Sequence, residues 1–166
     1  MECTMSSSAT TWSCKVKLRF DYDSNGHSAS ADQQKEVDFG PTITDKNDMD
    51  VWLRRAQAAI LNPDVSPTSF YGKSIQDLKN LTSTNSLKFS RNAVSIFIED
   101  PSATDLSFVD LPGQYAVHAY SCADCLAGLI QNEDTGVVDL VRKLTESYIS
   151  RPNTIILTTI PMSGNM

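Results

Sequence analysis

The chain has 166 residues, 40% of them hydrophobic and 20% charged, with a net charge of −6. This length and composition are typical of a soluble globular domain, and the negative charge disfavours nonspecific binding to nucleic acid. No apolar window of about 18 residues predicts a transmembrane helix, and no signal pattern opens the chain. We therefore expect a cytoplasmic protein whose four cysteines are free thiols.

The first part of the chain predicts two strands. Residues 1–11 are polar and show no clear periodicity, so no element is expected there. Trp12–Phe20 alternates apolar and polar residues without a fault, which predicts a strand with one buried face. Its basic opposite face could suggest a ligand groove, but a solvated sheet face is the simpler interpretation. Lys35–Phe39 is a candidate return strand.

Two helices follow in the pattern. Asp45–Leu61 carries apolar residues at helical spacing, and the pair Arg54-Arg55 on its outer side is most simply solvated. A weaker helix runs from about Ser69 to Leu81. Within it, Gly72-Lys73-Ser74 resembles the end of a P-loop, but Pro67 replaces the glycine that a P-loop needs and no strand leads in. We therefore reject a P-loop there.

The C-terminal part of the sequence predicts three strands and a helix, and the last two strands are expected to be parallel to each other. Val94–Ile98 and Leu106–Asp110 read as buried strands that run antiparallel, because their connection is short. Asp134–Ile149 reads as a helix and Thr154–Ile160 as a buried strand, which together complete a right-handed βαβ unit. Asp110 should then lie at the carboxyl end of a parallel strand, where open α/β sheets bind ligands.

The turn after that strand has the residues of a phosphate site. Leu111-Pro112-Gly113 forces the chain to turn, and Asp110 precedes the turn directly. Nucleotide hydrolases use such an acid to hold Mg²⁺ and such a glycine to approach a phosphate oxygen. The pattern D-x-x-G, Asp110 to Gly113, is by itself weak evidence for a phosphate site, and a plain strand-to-turn junction is the alternative.

A longer string around this turn resembles a known family. Residues 105–113, Asp-Leu-Ser-Phe-Val-Asp-Leu-Pro-Gly, resemble the third guanine-nucleotide motif of the dynamin superfamily, T-D-L-[ST]-h-[VI]-D-L-P-G. Residues 89–94, 129–133 and 154–163 are similar to its neighbouring segments. The similarity is to fungal dynamin-like GTPases and covers nearly the whole chain except residues 114–128.

The resemblance implies a fold, ligands and a role. The fold would be a partial α/β GTPase domain of P-loop type over residues 1–166, with a mixed, mostly parallel sheet flanked by helices. The ligands would be GTP and Mg²⁺: Asp110 would order the metal through water and Gly113 would contact the γ-phosphate, while Leu111 and Pro112 shape the turn. The family role is GTP hydrolysis coupled to self-assembly on membranes, in mitochondrial or other organelle fission or in vesicle traffic. The implied partners are copies of itself or other dynamin-like chains, and membranes that the full-length family protein binds peripherally, with no nucleic acid.

Three motifs of such an enzyme are absent from the sequence: the full P-loop, a switch threonine and T-K-x-D. In relatives, the P-loop and the switch threonine precede a segment similar to residues 1–6, and T-K-x-D follows a segment similar to residues 161–163. The chain therefore resembles the middle of a GTPase domain, and we expect no GTP hydrolysis by it alone. The alternatives are a non-catalytic interaction module that binds other dynamin-like chains, and a non-functional fragment of a mispredicted gene.

Residues 114–128 interrupt the similarity. Our hypothesis is a retained intron or gene-model error, and a real loop insertion is the alternative. Cys122 and Cys125 within this stretch form a C-x-x-C, but no second ligand pair accompanies them. His27 and His118 also lack a partner at ligand spacing, so we expect no metal site at any of these residues.

Overall fold

A computed structural model describes residues 1–22, 27–30, 34–81, 87, 89–111 and 135–157, with only the backbone for residues 135–138. The chain divides into two compact units, Met1–Leu111 and Pro112–Met166, which are described separately below. Across these described ranges, no helix is both long and apolar enough to cross a membrane.

The first unit is built on a five-stranded mixed sheet of β1 (Glu2–Ser6), β2 (Ser13–Phe20), β3 (Lys35–Asp38), β4 (Ala93–Glu99) and β5 (Leu106–Val109). The strand order in the sheet is β3-β2-β4-β1-β5. Only β1 and β4 are parallel, whereas the other pairings of the described strands are antiparallel. The α/β class is therefore confirmed, but the expected mostly parallel sheet is wrong for this part of the chain. The reason lies in the position of β1: it lies between β4 and β5, which are joined by a short connection and run antiparallel to each other, so β1 can be parallel to only one of them.

The alternation of β2 separates a core face from a polar face, as predicted. Cys14 and Leu18 are fully buried on the core face. On the opposite face, Arg19 donates hydrogen bonds to Glu2, one of them at 2.7 Å, and to Asp21 at 2.7 Å. The hydrogen bonds to Glu2, and to a smaller extent the one to Asp21, raise the pKa of the Arg19 guanidinium above its ordinary value. The polar face is thus charge-compensated at this position, which supports the interpretation as a solvated sheet face.

A helix covers the core face of the sheet. Its first turn is a 3₁₀ helix, Lys46–Asp48, capped by the Asp45 side chain, which accepts from the Asn47 amide at 2.9 Å. The α-helix proper, α1 (Met49–Leu61), follows and packs against β2 and β4. The predicted helix over Asp45–Leu61 is confirmed. Its buried residues are Ala56, Ala59 and Ile60.

The second predicted helix is broken into two short pieces. A 3₁₀ helix spans Pro67–Phe70 and α2 spans Ile75–Lys79. Ser74 starts α2 by accepting from the Asp77 amide at 3.1 Å, while Asp77 accepts from the Ser74 amide at 2.9 Å. The single helix predicted from Ser69 to Leu81 is wrong, because this capping box begins a new helix inside it.

The segment between these pieces excludes the P-loop geometry and corrects one expectation about α1. Gly72-Lys73-Ser74 follows a 3₁₀ helix, whereas a P-loop follows a strand. Arg55 donates through Nε to the Lys73 carbonyl at 2.9 Å, and its guanidinium lies 4.8 Å from the ring of Trp52. Arg55 is therefore not simply solvated, since it fastens α1 to this segment.

An aromatic cluster joins the end of β3 to α1. The centroid of the Phe39 ring lies 5.0 Å from that of Tyr71 and 6.1 Å from that of Trp52, and both ring pairs are edge-to-face. Gly40 follows Phe39 with φ +80°, and a Cβ atom there would lie 2.4 Å from the Trp52 ring. The sharp turn that brings β3 onto α1 therefore requires glycine at position 40.

Two cysteines belong to this core as free thiols, as predicted. Cys3 on β1 and Cys14 on β2 are both buried. Burial is the main cause that raises the pKa of Cys14 to about 11, and it also raises the pKa of Cys3. Both side chains are neutral small hydrophobic groups at physiological pH.

The second unit contains α3 (Thr135–Ile149), which confirms the helix predicted over Asp134–Ile149. Val141 is buried, and Leu144 and Tyr148 are partly buried on the same stripe. The predicted strand at Thr154–Ile160 is wrong over residues 154–157, where Ile155 is 95% exposed and forms no ladder. Residues 158–160 lie outside the described ones. β-branched residues favour a strand only where another strand pairs with it.

We predict that Gly40→Ala destabilises the first unit by about 2–4 kcal/mol, because it combines a positive φ with overlap on Trp52. The control is Gly72→Ala, where a Cβ meets nothing within 4 Å; it should change stability by less than about 1 kcal/mol. Urea unfolding followed by tryptophan fluorescence measures both. Equal effects of the two substitutions would contradict this account of the turn.

Candidate functional site

The candidate site depends on a strand that the sequence did not predict. Residues 1–11 were expected to contain no element, yet β1 lies between β4 and β5 and pairs with both. The available signal was the alternation of apolar Cys3 and Met5 with polar neighbours. The predicted antiparallel course of β4 and β5 is confirmed, but the two strands are separated by β1 and do not pair with each other.

Hydrogen bonds fix β5 at both ends against β1. At its start, the Asp105 carboxylate accepts from the Ser7 amide at 2.7 Å and from the Ser7 hydroxyl at 3.0 Å. These bonds, that from the amide first, lower the pKa of Asp105. At its end, the Asp110 amide donates to the Met1 carbonyl at 2.8 Å, and the Asp110 carbonyl accepts from the Met1 amino group at 2.7 Å. The main chain at Asp110 thus continues the ladder by one residue.

The Asp110 side chain is exposed and has no hydrogen-bond or ion-pair partner among the described residues. Burial lowers the pKa of the Met1 amino group, and the charge of Asp110 opposes that shift. The main chain of Asp110 is thus fixed, and its carboxylate is exposed to solvent. Leu111 is partly buried, whereas Pro112 and Gly113 lie outside the described residues.

The surroundings of β5 differ from the buried parallel strand that was predicted. Its one pairing within the described part of the chain is antiparallel, with β1. Leu106 is 52% and Phe108 48% exposed on one face, and Val109 is 40% exposed on the other. The reason is position: β5 is the edge of the described sheet, and α1 covers β2 and β4 instead. These three residues of β5 are apolar, as predicted, but no described element covers them.

The donor set at this edge suits one contact to a hydrated metal ion. No group of three or more His, Cys, Asp or Glu side chains that could hold a metal occurs in the described ranges. Mg²⁺ bound with a nucleotide needs fewer protein ligands, since one or two carboxylates, water and phosphate oxygens complete its shell. Asp110 fits that role as a single carboxylate, and it can supply nothing more.

No protein-family model, curated protein or solved structure matches this chain. The interpretation of Asp110 and of the turn that follows it therefore depends on the residues themselves. Membership of a GTPase family, and with it GTP and Mg²⁺ as ligands, stays a prediction.

We predict that Asp105→Asn lowers stability at pH 7 and that the difference from the unmodified protein disappears at low pH. The folded state holds the pKa of Asp105 below its ordinary value of 3.8. Its stabilising charge is thus fully present above that pH and is lost as the pH falls through the lower folded-state value. Urea unfolding at pH 7 and near pH 3 tests this. An equal difference at both pH values would mean that the charge of Asp105 does not hold Ser7.

Proposed function

We propose that this chain supplies part of a dynamin-type GTPase domain, with Asp110 ordering Mg²⁺ through water and Gly113 contacting the γ-phosphate of GTP. The observation that carries the proposal is the position of Asp110. Its main chain is fixed at the end of β5 by two hydrogen bonds to Met1, and its carboxylate is exposed and unpaired within the described residues. An exposed carboxylate at a fixed main-chain position can contact a hydrated magnesium ion through water.

The exposed edge of β5 supports the view that further chain belongs beside it. Apolar residues on both faces of an unpaired edge strand are uncommon in stable proteins, because such an edge favours pairing with other strands. Leu106 and Val109 expose opposite faces in this way. A neighbouring strand of the same GTPase domain would pair with the edge and help to bury both faces.

The chain as it stands is proposed to be inactive in hydrolysis. Asp110 and Gly113 would give one metal contact and one amide, whereas binding a triphosphate takes several amides, a lysine and a helix N-terminus. Phosphoryl transfer depends on preorganised charge around the phosphates, which scattered arginine or lysine side chains do not provide.

A second candidate function is a non-catalytic interaction module that binds other dynamin-like chains. The exposed apolar residues of β5 are the observation in its favour, since exposed apolar strand edges are sites of β-strand addition. GTP binding separates the two functions. The module should co-purify with a full-length relative and should not need Mg²⁺ or GTP to do so.

The experiment for the first function begins with the DNA on both sides of the reading frame. We expect codons for G-x-x-x-x-G-K-[ST] upstream and for T-K-x-D downstream. The protein extended to include them should bind Mg²⁺ and GTP, and Asp110→Asn should weaken that binding about tenfold or more. The matched control is Asp38→Asn on β3, an exposed carboxylate at the other edge of the described sheet, which should leave binding unchanged. Flanking DNA without these motifs, or equal effects of both substitutions, would refute the proposal.

The chain of 166 residues alone is expected to show no GTP turnover above background. The measurement is phosphate release by purified protein with GTP and Mg²⁺, compared with the same preparation carrying Asp110→Ala. Turnover that Asp110→Ala abolishes would contradict the expected inactivity. Turnover that persists in Asp110→Ala would come from a contaminating enzyme, and removing it by further purification would restore the expected result.

A further inference from the structure

An ion pair on the polar face of the first unit spans the strand that lies between its two partners. Arg19 on β2 donates to both carboxylate oxygens of Glu2 on β1, through Nη2 at 2.7 Å and through Nη1. The two strands do not pair with each other, because β4 lies between them. Arg19 lies opposite Ala93 of β4, and the residue of β4 opposite Glu2 is Ser95. The Arg19 side chain therefore crosses β4 over two small residues of the same face.

The guanidinium of Arg19 is also held from a second side. Its Nε donates to the Asp21 carboxylate at 2.7 Å. The Asp21 main chain is fixed in turn, since its amide donates to the Asn92 side chain at 2.9 Å. The side chains of Arg19 and Glu2 are only 26% and 21% exposed, so water and salt screen their pair in part. A two-point contact between a guanidinium and a carboxylate is stronger than a single hydrogen bond and fixes the orientation of both groups.

Glu2 adjoins the rung of the sheet that fixes Asp110. Met1 and Asp110 exchange both main-chain hydrogen bonds, at 2.8 and 2.7 Å, in the last rung between β1 and β5 that the structure describes. The neighbouring pair, Glu2 and Val109, is then one without main-chain hydrogen bonds between these two strands. Rungs at the end of a ladder open more easily than those within it. The contact from Arg19 therefore holds β1 beside the rung that opens most easily.

We propose that Arg19 is a positioning residue for Asp110. Arg19 holds the side chain of Glu2, Glu2 is joined to Met1, and Met1 holds the main chain of Asp110. The purpose of this link rests on the proposed function, in which Asp110 contacts hydrated Mg²⁺. The link itself lies within the sheet, so it can be measured without any ligand.

Amide hydrogen exchange of the chain of 166 residues, followed by NMR, tests the link. The reference is the Phe39 amide, which donates to the Val16 carbonyl at 2.8 Å on the far side of the sheet. Arg19→Gln should speed exchange of the Asp110 amide about tenfold more than exchange of the reference amide. A general loss of stability would not speed the Asp110 amide selectively. Equal acceleration of both amides, or an unchanged Asp110 amide, would overturn the proposal.

The matched control is Lys17→Gln, which removes a cation from the same face of β2. Lys17 pairs with Glu36 at 3.4 Å and with Asp38 at 3.7 Å, both on β3 and thus on the side of β2 away from β1. The control should leave the ratio of the two exchange rates unchanged. A ratio raised as much by Lys17→Gln as by Arg19→Gln would show that positive charge on this face, and not the bond to Glu2, matters, and would overturn the proposal.

A second variant, Glu2→Gln, tests the route and does not depend on the folding of Arg19→Gln. It should also speed exchange of the Asp110 amide selectively. The double variant should match the faster of the two single variants, because both changes break the same contact. Effects that multiply in the double variant would show that Arg19 does not act through Glu2 and would overturn the proposed route.

The protein extended to include the flanking motifs tests the purpose of the link. Arg19→Gln should weaken binding of Mg²⁺ and GTP about fivefold and should add nothing to the effect of Asp110→Asn. Full binding by Arg19→Gln, where Asp110→Asn weakens it, would overturn the positioning role. Failure of the proposed function gives a different pattern. Asp110→Asn then leaves binding unchanged, which removes the metal contact that Arg19 would serve, while exchange of the Asp110 amide still responds to Arg19→Gln.

Discussion

The double pairing of β1 is the constraint on which the first unit depends. A strand of five residues, Glu2–Ser6, makes a parallel ladder with β4 on one side and an antiparallel ladder with β5 on the other. Without it, β5 would have no partner among the described strands, and Asp110 would have no fixed main chain. The Ser7–Asp105 hydrogen bonds then determine where the antiparallel ladder ends. A stretch of sequence in which no element was expected thus forms an inner strand of the sheet.

This arrangement explains why the candidate site is half formed. The hydrogen bonds of β1 fix one side of β5 and with it the main chain of Asp110, whereas the other side of β5 has no neighbour in the described sheet. A nucleotide site of the proposed kind needs groups on both sides of that strand's end, since phosphates are held by many amides together. In the proposed GTPase domain, Asp110 would therefore be one contact of a larger site.

The elements that were predicted correctly are those whose buried face is visible as a regular spacing of apolar residues in the sequence. β2 and α1 were predicted correctly because alternation and helical spacing are visible in the residues themselves. The capping box at Ser74 is also a local signal, and reading it would have divided the second helix correctly. The exposure of Leu106 and of Ile155 could not be predicted, since an apolar run shows that a strand can be buried and does not show what would cover it.

Because Cys3 and Cys14 are buried, the rate at which thiol reagents modify them measures how often the first unit opens. Thiol reagents attack the thiolate, and neither sulfur is ionised or accessible while the sheet and α1 stay together. The two residues lie on β1 and β2, on either side of β4. Their rates of modification would therefore distinguish release of β1 alone, which exposes Cys3 first, from cooperative unfolding of the whole sheet, which exposes both at one rate.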